Sequence, residues 1–182
     1  MARNTLSRSL HDVGLAAWFG GTLANAVALN PAAGEAGSAR GTGAVANAGW
    51  DRWTPVNAAA IGAHLIGSIG QLQANKRRLA DPGVRAMSTA KTVLTAAALG
   101  VTAYSRLLGK VVDQGGATPS KRATKPSKRA RGEIAAAQER LDQLQWVVPA
   151  LTGALVVVSS YAGEQQRPSE VQRAITATTS TV

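Results

Sequence analysis

The 182-residue chain carries a formal net charge of +10, from 20 Lys and Arg against 10 Asp and Glu, yet only 16% of its residues are charged, against the roughly one quarter usual in soluble domains. Cysteine is absent, which excludes disulfides, thiolate nucleophiles, Cys-ligated zinc, iron–sulfur clusters and acylation at a cysteine. The charges collect in loops and leave four long stretches almost free of them, which predicts an all-α, four-helix transmembrane bundle forming one domain over 1–182.

A short arm with Arg3 and Arg8 leads into the first predicted span, residues 11–29 (HDVGLAAWFGGTLANAVAL). The same pattern suits a secretory signal, with Ala24-Asn25-Ala26 or Ala26-Val27-Ala28 as cleavage sites. Against removal, His11, Trp18, Thr22 and Asn25 fall within about 60° of one helical face, an ordered polar edge that a discarded segment has no use for. Ala16, Gly20, Ala24 and Ala28 add a ladder of small residues, which lets membrane helices approach closely. Residues 30–53 are rich in Gly, Ala and Pro and read as an exposed loop. It ends near Trp50 and Trp53, whose indoles favour the headgroup layer.

The second span, 54–75 (TPVNAAAIGAHLIGSIGQLQAN), contains no Asp, Glu, Lys or Arg and would form a helix of roughly 30 Å, the thickness of a hydrocarbon core. Thr54 is the expected N-cap and Pro55 suits the first turn. Asn57, His64, Ser68, Gln71 and Asn75 lie within an arc of about 60°, so this seam must turn away from lipid. Ala59, Ala63 and Gly67 supply a second small-residue ladder.

Lys76-Arg77-Arg78, the turn Asp81-Pro82-Gly83, Arg85 and Lys91 make a short basic loop, a cytoplasmic marker. The third span, 92–109, places Thr92, Thr95, Thr102 and Arg106 within about 80° of one another, with Arg106 near enough to the interface to snorkel. Residues 113–131 hold a tandem PSKRA repeat and read as a basic disordered loop. Residues 132–145 are an amphipathic helix with Ile134, Leu141 and Leu144 on one side, leading into the fourth span, 146–163, which Pro149 should kink.

Placing the amino terminus in the cytoplasm of a plasma-membrane, multi-pass protein puts Arg3, Arg8 and the 76–91 loop inside, but exports the PSKRA loop. The 76–91 charges abut their spans and are given precedence. In the exported loop Lys121, Arg122, Lys125, Lys128, Arg129 and Arg131 are candidate contacts for anionic lipid headgroups, at about 1 kcal/mol per residue near such a surface. Nucleic acid is disfavoured as a partner, since no aromatic residue is interleaved to stack on bases.

The candidate polar seam comprises His11, Asn25, Asn57, His64, Ser68, Gln71, Thr95, Thr102 and Arg106. His64, near a bilayer centre, is either packing glue bonded across helices or a proton relay, haem ligand or quinone contact. Aligning antiparallel span ends leaves His11 at the membrane edge and His64 ~15 Å deeper, which argues against one haem ligated by both. A single-ligand haem or a quinone remains the alternative to the expectation of no cofactor. His11-Asp12 suits either proton collection or a favourable contact with the helix dipole. No nucleophile elbow, HExxH motif, Walker loop or dinucleotide fingerprint occurs, so no catalytic or metal-binding residues are expected.

The segments SLHDVGLAAWFGG, TPVNAAAIGAHL, AKTVLTAAALGVTAYS and LQWVVPALTGALVVVSSYAGEQQRP together resemble a family of uncharacterised four-span membrane proteins of actinobacteria. The resemblance covers most of the chain outside the PSKRA loop; it implies membrane placement and supplies no site residues. The expected role is a non-enzymatic scaffold or accessory subunit that binds other membrane helices, as a homo- or hetero-oligomer, through Gly/Ala faces. The alternative is a small carrier or a redox or proton-path module around His64.

Overall fold

The computed structural model describes residues 4–114, 120–122, 124–126 and 132–164. Four long helices dominate them: α1 (Thr5–Ala33), α2 (Ala39–Asn75), α3 (Pro82–Gln114) and α4 (Gly132–Glu164). A small antiparallel hairpin, β1 (Ser120–Arg122) with β2 (Lys125–Pro126), pairs Ser120 with Pro126 and Arg122 with Lys125 between α3 and α4. The chain is thus all-helical in its architecture, with the hairpin as a minor addition.

One segment expected to be irregular is helical instead, and parts of a second carry secondary structure, with residues 115–119, 123 and 127–131 outside the described residues. Residues 30–53, taken above as a loop, are mostly helix: α1 runs on to Ala33, and α2 begins at Ala39 behind the N-cap Ser38, whose Oγ accepts from Gly41 N at 3.1 Å. Thr54 is therefore no N-cap. It lies mid-helix, its Oγ1 donating to Trp50 O at 2.7 Å beside Pro55, which has no N–H to give the ladder. The basic loop expected over 113–131 yields Asp113 and Gln114 to α3 and Ser120–Arg122 and Lys125–Pro126 to the hairpin. Residues 132–145 and 146–163 are one continuous helix, and Pro149 sits inside it.

Helices α1 and α2 form the closest pair, α3 and α4 the next, and α1 meets α4 between them. Helices α2 and α3, joined by a 3-10 turn at Lys76–Ala80, show no comparable approach. The bundle is closed on three sides and gapped on the fourth. Register between α1 and α2 is set by glycine: a Cβ on Gly14 would lie 2.5 Å from Ala60 O and 2.5 Å from His64 N, and one on Gly67 would strike the backbone of His11 and Ser7. Here the backbones touch, as in small-residue packing between membrane helices.

Polar side chains share the interior of the bundle with apolar ones, and large apolar side chains remain outside. Its fully buried large side chains include His11, His64, Gln138, Thr42 and Thr152 beside Trp18 and Leu155, while Leu6, Val13, Ile66, Val93, Leu107 and Tyr161 are each more than 60% exposed. Among the described residues only α1 and α4 are long and apolar enough by composition to cross a bilayer. Helices α2 and α3 fall short of that threshold because their polar seams and small residues dilute the apolar stretch. At 37 residues α2 is ~55 Å long, and α3 and α4, at 33 each, ~50 Å. All three overshoot a hydrocarbon core of about 30 Å. At the end where α2 begins and α3 stops, polarity is conventional: Val112, Ile134 and Ala137 form an apolar cluster while Glu133, Glu139 and Arg140 are exposed.

Candidate functional site

The gap between α2 and α3 holds two cavities, of about 390 Å³ and about 380 Å³. His64 Nε2 and Thr95 Oγ1, 3.4 Å apart, bridge the helices at a waist, and Leu99 lines both chambers. The seam residues sort themselves around this waist. Asn57, Thr102 and Arg106 line the larger chamber; Ser68, Gln71 and Thr95 line the smaller. Asn25 lines neither. It is buried at the start of a π turn (Asn25–Leu29) in α1, its Nδ2 without a partner among the described residues.

Behind the waist the His11 and His64 rings meet at a tilt of 45° with centres 4.6 Å apart, and Trp18 lies 6.0 Å from His64. This overturns the depth argument made from sequence. The ends of the two helices are not aligned; Gly14 and Gly67 fix a register in which α2 overhangs α1, so the two histidines reach the same level. A shared haem is still a poor fit, for another reason. Iron–nitrogen bonds of about 2 Å on either side would hold the ring centres roughly 6 Å apart, with a porphyrin between them.

Asp12 Oδ1 lies 2.7 Å from His11 Nδ1; its carboxylate is 65% exposed and the imidazole 1%. This pairing selects the tautomer with the proton on Nδ1, which leaves Nε2, buried and without a partner among the described residues, as an acceptor. His64 Nδ1 is 3.5 Å from His11 O. His64 thus contacts the backbone carbonyl of His11 and Thr95 in the smaller chamber, while the Asp12–His11 side-chain pair lies beside these contacts without bonding to the His64 ring. Lys91 lines that chamber too, and burial lowers its pKa from 10.5; Asp12 opposes the shift and Arg8 adds to it. Glu164 closes α4; Gln165, Gln166 and Arg167, which continue that polar end, lie outside the described residues.

The larger chamber is graded along its length. Ile61, Leu99 and Val148 line its inner end, and Asp51, Arg106, Lys110 and Asp113 its outer end. There Asn47 Nδ2 donates to Asp113 Oδ1 at 2.8 Å, while Arg106 and Asp51, 3.8 Å apart and largely exposed, form a weak pair. Between these ends Trp53 Nε1, Asn57 Oδ1, Thr102 Oγ1 and Ser105 Oγ are buried with no hydrogen-bond partner among the described residues.

A polar knot that sequence pattern did not reveal closes the same end. Trp50 Nε1 donates to Asn30 Oδ1 at 3.2 Å, Asn30 Nδ2 donates to Gln145 Oε1 at 2.8 Å, and Gln145 Nε2 and Thr124 Oγ1 both donate to Asp142 Oδ1. These links tie α1, α2, α4 and the hairpin together across distant stretches of chain. Of the candidate lipid contacts, Lys121, Arg122 and Lys125 belong to the hairpin; Lys128, Arg129 and Arg131 lie outside the described residues. Among the described residues no group of three His, Asp or Glu is placed to hold a metal. Compared with family models, curated proteins and solved structures, the chain finds no match.

Proposed function

We propose that the protein is a four-span plasma-membrane bundle, amino terminus in the cytoplasm, that works as a non-enzymatic scaffold or accessory subunit. One observation carries the membrane placement: between the spans the interior buries His11, His64 and Thr152, whereas large aliphatic side chains such as Val13, Ile66, Val93 and Leu107 stay exposed on the outside. Water as the only solvent would make that distribution costly, since apolar area would stay wet while polar groups were desolvated. Hydrocarbon reverses both penalties. In this reading α2 and α3 also cross, their polar seams facing the gap between them. Both features suit the four-span actinobacterial family that the sequence resembles.

Association is supported by α1, where Ala16, Gly20, Ala24 and Ala28 are all exposed and a Cβ on Gly20 would meet nothing within 4 Å. That ladder is free to seat a second helix, from another copy or another protein. The hairpin and the ends of α2, α3 and α4 would then stand above the outer headgroups, within reach of anionic lipid. A second reading, a carrier or proton-path module, draws on the nearness of the Asp12–His11 pair to His64 and Thr95, the two imidazole centres being 4.6 Å apart.

The test is alkaline carbonate extraction of membranes, followed by purification in detergent of wild type and His64→Leu. The scaffold reading expects retention in the carbonate pellet, a colourless sample, and unchanged assembly size and stability in the variant. Release by carbonate refutes the membrane placement. A chromophore, or loss of proton flux in vesicles on His64→Leu, would transfer the conclusion to the second reading.

A further inference from the structure

We propose that the larger chamber between α2 and α3 is a binding site for an uncharged, hydroxyl-bearing amphiphile. The first ground is a contrast among hydroxyls. Thr22, Thr54, Ser68, Thr92, Thr152 and Ser160 each donate to the carbonyl four residues back, the usual way a helix absorbs a hydroxyl. Thr102 and Ser105 do not, and across the gap Trp53 Nε1 and Asn57 Oδ1 are likewise without a partner among the described residues; Ser159 Oγ and Trp18 Nε1 share that state elsewhere, but only this chamber gathers four such atoms. Four such atoms on one chamber are costly unless a ligand or water meets them.

The second ground is the chemistry of the set. An indole N–H needs an acceptor and an amide oxygen needs a donor. A hydroxyl group offers both; a ketone or ester offers only the acceptor. The charged groups at the outer end balance, two carboxylates (Asp51, Asp113) against two cations (Arg106, Lys110), which leaves no net charge to select an ion. Below the polar rung the walls are Ile61, Leu99 and Val148, so the remainder of the ligand is hydrocarbon.

The third ground is position. The chamber lies toward the end where α2, α3 and α4 overshoot a bilayer, with Trp50 and Trp53 in its wall, at the depth where an amphiphile keeps its head group. Exposed Ala58 and Ala103 mark its open side. Its volume, about 390 Å³, falls within the range of small-molecule sites. This depth assignment rests on the membrane placement proposed above; the hydrogen-bond argument does not.

The test uses protein with Trp146→Phe, which removes an exposed indole, and follows quenching of the remaining tryptophan emission by brominated probes in nanodiscs. A bromine-tagged long-chain alcohol should quench saturably, while the matching bromoalkane should rise linearly without a plateau. Asn57→Leu and Thr102→Val should each weaken the saturable phase about fivefold or more. Ala103→Phe, which fills the chamber, should abolish it with thermal unfolding unchanged. A short water-soluble bromo-alcohol that saturates equally well would assign the site to a free solute rather than a bilayer lipid of the same chemistry. The proposal is overturned if alcohol and alkane behave alike, if a bromine-tagged carboxylate binds more tightly than the alcohol, or if Asn57→Leu leaves the affinity unchanged. Such a failure with the protein still held in carbonate-washed membranes would sink this site alone; release by carbonate would sink the membrane placement, and saturable binding could still be measured in detergent.

Discussion

Replacing Gly14 with alanine puts a methyl carbon 2.5 Å from both Ala60 O and His64 N, where ordinary van der Waals contact starts at 3.4 Å. Both neighbours are backbone, so no side chain can swing aside, and α1 must retreat from α2 by about 0.9 Å at this point. A gap of 0.5–1 Å forfeits roughly a quarter to a half of each dispersion contact, and overpacking of this kind costs about 1–3 kcal/mol. Alanine returns about 0.5–1 kcal/mol through helix propensity, so the net loss should be about 1–2 kcal/mol. Gly20→Ala is the control: on the same helix a Cβ meets nothing within 4 Å, and only the propensity gain remains. Unfolding by sodium dodecyl sulfate titration in mixed micelles should separate the two variants by about 2 kcal/mol. Equal stabilities would refute the register, and with it the contact of His11 with His64.

Asn30→Ala should destabilise by about 2 kcal/mol, since it leaves Gln145 and Trp50 without their buried partner, and should shift Trp50 emission; an unperturbed spectrum would count against the polar knot. Lys91 has a folded pKa below 10.5, so between the two values the unfolded chain binds more protons and stability rises with pH up to 10.5. Lys91→Met should therefore be more stable than wild type at pH 7, with the difference shrinking as pH approaches 10.5; a gap that widens instead would refute this. Because the chain has no cysteine, single cysteines report topology cleanly. In intact cells an impermeant maleimide should label Lys121→Cys and spare Arg77→Cys, and the opposite pattern reverses the orientation.

Helical class and the angular convergence of Asn57, His64, Ser68 and Gln71 were legible in the sequence because a period of 3.6 is local. Three features were not. Residues 39–53 read as a loop because Gly41, Gly43 and Gly49 lower helix propensity and outweigh the alanines among them; the helix gains from the Ser38 cap and from packing of buried Thr42, Gly43 and Ala46. The shared depth of His11 and His64 follows from two glycine contacts between helices, and register has no sequence period of its own. The division of the seam into two chambers depends on how far α2 stands from α3. Spacing placed Thr102 on one face with Thr95 and Arg106 but did not single out Ser105, and it gave no sign that these hydroxyls would decline the backbone.

The open side of the bundle decides which concentration matters. With the bundle in a bilayer as proposed, a molecule entering between α2 and α3 would come sideways out of the leaflet without crossing an aqueous phase, so occupancy would track its mole fraction among the lipids. A sparingly soluble compound present at trace levels in water can then saturate the protein once partitioning has enriched it in the bilayer. Diluting the sample with buffer would leave it bound, whereas diluting with fresh lipid would strip it off.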